Sequence, residues 1–325
     1  MEHQIEHQTG LILPNSPKKS DLNVIASGTT LQPSILKVLR ILRDSNPSLQ
    51  RKMMHGIDDT QDSSVDQYLS YWNRFQEIVI LSDDTFTGLN LGGLMVRLVN
   101  VLPFFQAIEE ENIILQNLNF GGTDIGMDNF LQAVESLSDE KKTCVTGLYL
   151  GGCGIASRKG TGNLIKALGM LPNLKILDLR YNDFEGKDMV DLESSIASAA
   201  TLEILHLEGN FIKCEGATAI GNVLKTSNIK ELYLGANQIG SVGAKALADG
   251  ITNNGHLEKF YLEGNFIGEI GANAFKDVLL DQQSRECKVL GKLYVDNNGI
   301  GKEAATSLGR ALGSEGLIDG SLFGD

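Results

Sequence analysis

From residue 115 onward the apolar positions fall into one frame. Leu202, Leu205 and Leu207 are followed by Asn210 and Ile212, a spacing of L-x-x-L-x-L-x-x-N-x-I. The frame returns from Leu174 to Phe184, Ile229 to Ile239, Leu257 to Ile267 and Leu290 to Ile300. Degenerate copies run from Leu115 to Ile125, with Thr123 in the Asn place, and from Val145 to Ile155, with Cys153 there. Successive first positions lie 30, 29, 28, 27, 28 and 33 residues apart, the last excess being an insertion around Leu280 to Glu286. The apolar–x–apolar core of each frame predicts a short strand, since side chains alternate faces along a strand. Between frames the period changes. Ala244, Leu247, Ala248 and Ile251 recur at spacings of three and four, which predicts a helix. Gly243 and Ala244 are small enough for that helix to approach its strand closely. The Asn sits where the chain leaves the strand, and a side-chain amide there can bond turn backbone that water cannot reach. Stacked copies predict a structural ladder of Asn182, Asn210, Asn237, Asn265 and Asn298.

One strand and one helix per repeat imply an α/β solenoid. Parallel strands line the inner, concave side and helices the convex side, and because helices are wider than strands the stack curves into a horseshoe. One repeat cannot bury its apolar face alone, so the array folds as a unit. The frame is that of a leucine-rich repeat. The 27-to-29-residue spacing, with I-G-x-x-G-A-x-A-L at Ile239 to Leu247 and its echo at Ile267 to Phe275, resembles the ribonuclease-inhibitor type. That superfamily includes ribonuclease inhibitors, the repeats of NOD-like receptors and Ran GTPase-activating proteins. The resemblance covers roughly residues 115–312. This chain is far poorer in cysteine than ribonuclease inhibitors, and no nucleotide-binding module precedes the repeats, so a complete NOD-like receptor is not expected.

The N-terminal third is irregular. Residues 1–30 lack periodicity and read as a disordered tail. Ile35, Leu36, Val38, Leu39, Ile41 and Leu42 alternate with Lys37, Arg40 and Arg43, a basic amphipathic helix that starts at Pro33-Ser34 and stops at Asn46-Pro47. Such a helix could bind a membrane or a partner groove, but solenoid ends need covering, and that reading is preferred. A polar loop over 56–64 precedes a helix over 64–77 that carries Tyr68, Leu69, Trp72 and Phe75 on one side. Ile78 to Leu81 reads as a strand, and Phe75, Ile78, Ile80 and Asp83 as an irregular first repeat. From Leu89 to Ala107 the chain is mostly apolar, and Pro103 is expected to kink or end a helix. Residues 31–110 are therefore expected to form a helical N-terminal cap, 111–312 an array of about seven repeats, and 313–325 a frayed tail.

Charge narrows the partners. The 325 residues carry a net charge of −13. Residues 1–60 are close to neutral at +1, which leaves −14 on the remainder. Such a body argues against nucleic acid and against an anionic membrane surface as partners. Cys144, Cys153, Cys214 and Cys287 form no C-x-x-C pair and read as thiols of a reducing compartment. With no glycosylation sequon, signal peptide or long apolar run, the expected place is the cytosol or nucleus.

Candidate chemistry lies on the concave face. The residue between the last two apolar positions of each frame forms a column of Asn119, Tyr149, Asp178, His206, Tyr233, Tyr261 and Tyr294. Two places on, the column is Gly121, Gly151, Arg180, Glu208, Gly235, Glu263 and Asp296, with Phe211 and Phe266 beside it on the turn. Aromatic rings with a polar tip suit binding interfaces. The tyrosines are expected to form an apolar strip with hydroxyls outward, bordered by Glu208, Glu263 and Asp296 on one side and by Lys230, Lys259 and Lys292 on the other. The expected partner-binding set is Tyr149, Arg180, His206, Glu208, Phe211, Tyr233, Tyr261, Glu263, Phe266, Tyr294 and Asp296. No catalytic set emerges: there is no Walker A loop, G-x-G-x-x-G, HExxH or G-x-S-x-G. His3, Glu6 and His7 match H-x-x-E-H, but in a free terminus that motif lacks the rigid helix it needs, so neither metal nor cofactor is expected. Ser16-Pro17 resembles a proline-directed phosphorylation site. The preferred function is a monomeric, non-enzymatic scaffold for a protein or peptide partner with basic character. The alternative is a GTPase-activating protein of the Ran-activator type using Arg180, although no acidic run follows the array.

Overall fold

The computed structural model describes residues 33–54, 79–82, 85–284 and 290–313. The expected tail 1–30 with its H-x-x-E-H match and Ser16-Pro17, the 56–64 loop, the 64–77 helix, Cys287 and residues 314–325 lie outside them. Strand and helix then alternate as the frame requires. After helices α1 (Pro33–Asp44) and α2 (Pro47–Met54) come β1 (Val79–Ser82), β2 (Thr85–Asn90), α3 (Leu102–Glu110), β3 (Asn117–Asn119), α4 (Met127–Glu135) and α5 (Asp139–Cys144). The regular repeats follow as β4 (Gly147–Tyr149), α6 (Thr161–Leu168), β5 (Ile176–Asp178), α7 (Gly186–Ser198), β6 (Ile204–His206) and α8 (Lys213–Leu224). The chain continues through β7 (Glu231–Tyr233), α9 (Ser241–Ile251), β8 (Lys259–Tyr261), α10 (Gly268–Ser284), β9 (Lys292–Tyr294) and α11 (Lys302–Leu312).

The strands form one sheet in sequence order, β1 antiparallel to β2 and every later pair parallel. The register aligns the frame: Leu148 pairs Leu177, Leu177 pairs Leu205, Leu205 pairs Leu232 and Leu232 pairs Phe260. Those residues, with Leu150, Leu179, Leu207, Leu234 and Leu262, are buried between sheet and helices. Ala244, Leu247, Ala248 and Ile251 close the core from α9, as the three-four spacing requires. Helices α8 and α9 touch backbone to backbone, since a Cβ on Gly221 would stand 2.5 Å from the Ala246 carbonyl oxygen. The result is a curved α/β solenoid, strands inside and helices outside. The insertion before the last frame lengthens α10 to 17 residues.

The Asn ladder holds the turns. Each side chain works in both directions. Asn265 Nδ2 donates to Leu234 O at 2.8 Å, one repeat back, and to Leu262 O at 2.9 Å, while its Oδ1 accepts from Asn237 N at 2.8 Å and Ile239 N at 3.2 Å. Asn182, Asn210 and Asn298 repeat this scheme. Asn237 keeps its donor bonds to Leu207 O and Leu234 O, but its buried Oδ1 has no partner. The turn backbone differs there: Phe211, unlike Asp183, Gln238 and Phe266, is not left-handed, and its N–H donates to Phe184 O at 2.8 Å. In the degenerate frames Thr123 Oγ1 and Cys153 Sγ each donate to Phe120 O, so a hydroxyl or thiol replaces the donor half of the amide. Burial pushes the Cys153 thiol up to about 11.

The N-terminal region departs from expectation in two places. Pro103 stands in the first turn of α3, where its missing N–H costs nothing, and so begins a helix instead of ending one. The parallel sheet also starts earlier than the frame count implied. Strand β2 pairs in parallel with β3, Leu89 on Leu118 and Asn90 on Asn119, so a repeat runs through Leu89 and Leu91. Its signal was weak because Leu94 occupies the Asn place. Of the residues expected to form an irregular first repeat, Phe75, Ile78 and Asp83 lie outside the described residues. Helix α1 is where the amphipathic pattern put it. Ile35, Val38, Leu39 and Leu42 belong to the same buried cluster as the repeats, and Lys37 pairs with Glu111 at the end of α3. Asn46 is fully buried at the α1–α2 junction, donating to Leu42 O and Asn100 O and accepting from Asn100 N.

Candidate functional site

The parallel register places the central residue of each frame in line on the concave face: Tyr149, Asp178, His206, Tyr233, Tyr261 and Tyr294. Four of them stack. His206 and Tyr233 have ring centroids 4.1 Å apart, Tyr233 and Tyr261 4.1 Å, and Tyr261 and Tyr294 4.2 Å, with planes within 20° of parallel. Strand spacing of about 4.8 Å brings successive rings near contact, and a small tilt closes the rest. The stack changes what the solvent sees. Tyr233 is only 6% exposed and His206 2%, so the strip shows ring edges and not faces. The Tyr233 hydroxyl is not directed outward either: it donates to Glu231 Oε2 at 2.7 Å. Burial first, and then that bond, raise the Tyr233 phenol far above its ordinary pKa.

Along the border the sequence reading needs one correction. Lys259 and Lys292 face the strip at the place two residues before each tyrosine, but on β7 that place holds Glu231. Lys230 lies one residue off the column and bonds Glu203 at 3.0 Å. Glu231 instead accepts from Lys259 Nζ at 2.7 Å as well as from Tyr233. Burial opposes its ionisation, but these two bonds outweigh that and hold its pKa below the usual carboxylate value. Counting from Tyr233 in steps of two, the side-chain period of a strand, finds Glu231 in the sequence.

The opposite border is acidic, and the charge of Arg180 acts on Glu208. Glu208 Oε1 meets His206 Nδ1 at 3.2 Å, while its Oε2 is buried with no hydrogen-bond partner. Burial pushes the Glu263 carboxyl up to about 7, and Asp296 and Glu208 add to the effect. Between Glu208 and Glu263 stands Gly235. A Cβ there would lie 3.6 Å from Glu263 Oε2 and 3.9 Å from Glu208 Cγ, so both carboxyl side chains border the empty position. Phe211 and Phe266 stand on the turn beyond, 42% and 70% exposed.

The remaining expected residues separate from this group. Arg180 and Asp178 form a buried ion pair, Nε to Oδ1 at 2.9 Å. Burial works against the charged guanidinium, but Asp178 more than restores it and raises its pKa. That pair stands between Tyr149 and the His206 stack, so Tyr149 does not join the strip; burial and then Asp178 raise its phenol pKa. Among the described residues no group of three or more His, Cys, Asp or Glu could hold a metal ion, and no helix is long and apolar enough to cross a membrane.

Stacked strand–turn–helix units with an inner parallel sheet and an Asn ladder define a leucine-rich repeat solenoid. Residues 171–192 and 226–248 match the family model described as leucine-rich repeat. The fold is that of a leucine-rich repeat solenoid, and its full helices on the convex side resemble the ribonuclease-inhibitor type. No curated protein matches it. Among solved structures it is similar to the leucine-rich repeat-containing protein LegL7 of Legionella pneumophila, at 20% identity over 75% of this chain and 77% of that one, with a TM-score of 0.48. A leucine-rich repeat protein of Leptospira interrogans shares 16% identity over 72% of this chain and 60% of that one, with a TM-score of 0.38. Actin-binding site 2 of leiomodin-1 shares 17% identity over 43% of this chain and 80% of that one, also at 0.38.

Proposed function

We propose that this protein is a non-enzymatic scaffold that holds a protein or peptide partner of basic character in its concave face, acting as a monomer in the cytosol or nucleus. The observation that carries this reading is the stacked His206–Tyr233–Tyr261–Tyr294 strip beside the carboxylates Glu208, Glu263 and Asp296, of which Glu208 Oε2 has no hydrogen-bond partner. A rigid aromatic strip offers contact area at little entropic cost, and buried carboxylates gain most from a cation that excludes water around them. The test is capture of the partner followed by Tyr294→Ala and Asp296→Asn. Tyr294 is the end ring of the stack, touching Tyr261 on one side, so its loss is expected to weaken binding by about 1–3 kcal/mol with little change in melting temperature. Tyr233→Ala is a poorer probe, since Tyr233 is buried between two rings. Unaltered binding by both Tyr294 and Asp296 variants, with loss on a convex-face change such as Lys245→Glu, would refute the concave-face reading.

The GTPase-activator alternative draws no support from the setting of Arg180. A guanidinium offered to a nucleotide must leave the protein surface freely, whereas Arg180 is buried and bound to Asp178. Purified protein is expected to leave GTP hydrolysis by a panel of Ras-like GTPases unchanged, and a rate increase abolished by Arg180→Ala would reverse that expectation.

A further inference from the structure

Each inner repeat hands its strand and turn N–H groups to the repeat that follows. Leu262 N donates to Tyr294 O at 2.8 Å and Gly264 N to Asp296 O at 2.9 Å. Asn265 N and Ile267 N both donate to the ladder oxygen of Asn298, at 2.9 and 3.2 Å. The same four N–H groups of the last repeat, on Val295, Asn297, Asn298 and Ile300, have no acceptor among the described residues. Two of them are also shut off from water, since Val295 is 3% exposed and Asn298 2%. A buried backbone N–H is rarely left without a partner, and an unpaired strand edge invites one.

The frame specifies what would complete this edge. It takes a further strand with an apolar residue in the sixth place and a side-chain oxygen in the ninth, the ladder place. Leu317 stands 27 residues after Leu290, the interval that also separates Leu202 from Ile229. It follows the end of α11 by five residues, as Ile229 follows the end of α8. Counted from there, the chain reads Leu317-x-x-Gly320-x-Leu322-x-x-Asp325. Leu322 falls in the place of Val295 and Asp325 in the place of Asn298. A count from Ile318 puts the Ser321 hydroxyl in the inward fourth place and leaves Asp325 one residue short of the rung, so the ladder selects the first count.

We propose that residues 317–325, which lie outside the described residues, dock on the β9 edge as its closing strand and turn, in place of the frayed tail that their composition suggests. In the register of the inner repeats, Ser321 O accepts from Val295 N and Phe323 O from Asn297 N. The Asp325 carboxylate accepts from Asn298 N and Ile300 N. Aspartate has acceptor oxygens and no donor, so it supplies the acceptor half of the ladder amide and forgoes the other. Ser321 then stands next to Tyr294 in the central column, which ends the ring stack there. The assignment is independent of the concave-face reading.

The test is amide hydrogen exchange, read residue by residue by NMR on the full 325-residue chain. Asn298 and Ile300 of the wild type are expected to be protected to within about tenfold of Asn265 and Ile267. Asp325→Ala is expected to speed exchange at Asn298 and Ile300 at least roughly tenfold, with Asn182 and Asn210 unchanged. Asp325→Asn keeps an acceptor oxygen and is expected to retain the protection. Leu322→Asp, which puts a charge on the inward face, is expected to release Val295 and Asn297 as well. Should that variant fail to fold, the Asp325 pair decides. Asn298 and Ile300 amides that exchange in the wild type like those of an unstructured peptide would overturn the proposal. So would protection that survives Asp325→Ala, or a loss that Asp325→Asn shares in full. Protection that grows with protein concentration and ignores Asp325 would give the edge to a second copy of the chain and refute the assignment.

Discussion

Asn237 and Asn265 occupy the same position in consecutive repeats, yet they do different work. Replacing Asn265 by Ala strands two backbone donors and two carbonyls, and a loss of about 2–3 kcal/mol is expected in urea titration. Asn237→Ala strands carbonyls alone, because its Oδ1 is already unpaired, and about 1–2 kcal/mol is expected. Equal losses would mean that the ladder is not read correctly at this rung. Glu263 offers a second residue-scale test. Its folded pKa of about 7 stands above the ordinary 4.5, so between those values the folded chain keeps a proton that the unfolded chain has lost. Ionisation therefore costs stability progressively from pH 4.5 to 7, and the whole cost is present above that. Glu263→Gln is expected to stabilise the protein at pH 8 by about 1–3 kcal/mol and hardly at all at pH 4. A pH-independent effect would assign the change to packing. The ladder Asn and the paired acidic positions were both legible in the sequence, because the frame gives every residue a place. The missing rung at Asn237 was not, since it depends on a turn conformation at Phe211 that no residue type announces.

Helices α8 and α9 meet over glycine, and this element contact can be tested directly. Gly221→Ala puts a methyl group against the Ala246 carbonyl, and the resulting separation of the helices is expected to cost about 1–3 kcal/mol by thermal or urea unfolding. A neutral outcome would show that the convex layer shifts freely. At the N-terminal end we propose that α1 serves as the cover of the array. Leu39 is fully buried in the common core, so Leu39→Ala is expected to cost about 2–5 kcal/mol and to reduce protection of the β2 and β3 amides from hydrogen exchange. Exchange confined to α1 itself would make that helix an independent appendage. The amphipathic pattern of α1 could be read from the sequence. The role of Pro103 could not, because proline is compatible with the first turn of a helix as well as with its end, and only neighbouring packing chooses.

For the molecule as a whole, charge and curvature act together. The acidity belongs to the repeat-bearing body, since residues 61–325 carry −14 and residues 1–60 carry +1, and the concave border forms an acidic row within it. Association with a basic partner is therefore expected to slow as ionic strength rises, with dissociation changing much less, in stopped-flow measurements across salt. A salt-insensitive association rate would argue for a partner held by apolar contact alone. The solenoid also couples distant parts only through neighbours, so damage in β8 is felt in β7 and β9 before it reaches β3.

The periodicity of the chain determined the repeat, its strand and helix, the direction of each side chain and the line of residues on the inner face. It did so because strand and helix periods leave little freedom once seven frames share one register. The tertiary structure decided how those residues meet. Four rings in line stack on one another, His206 and Tyr233 buried and Tyr261 and Tyr294 half-buried, which turns an expected strip of exposed faces into a row of edges. Arg180 is taken out of play by Asp178, whereas Glu208 and Glu263 are left around an unfilled glycine. Sequence spacing assigns a side chain to a face. Whether it is satisfied there depends on distances between strands, and those exist only once the sheet has closed.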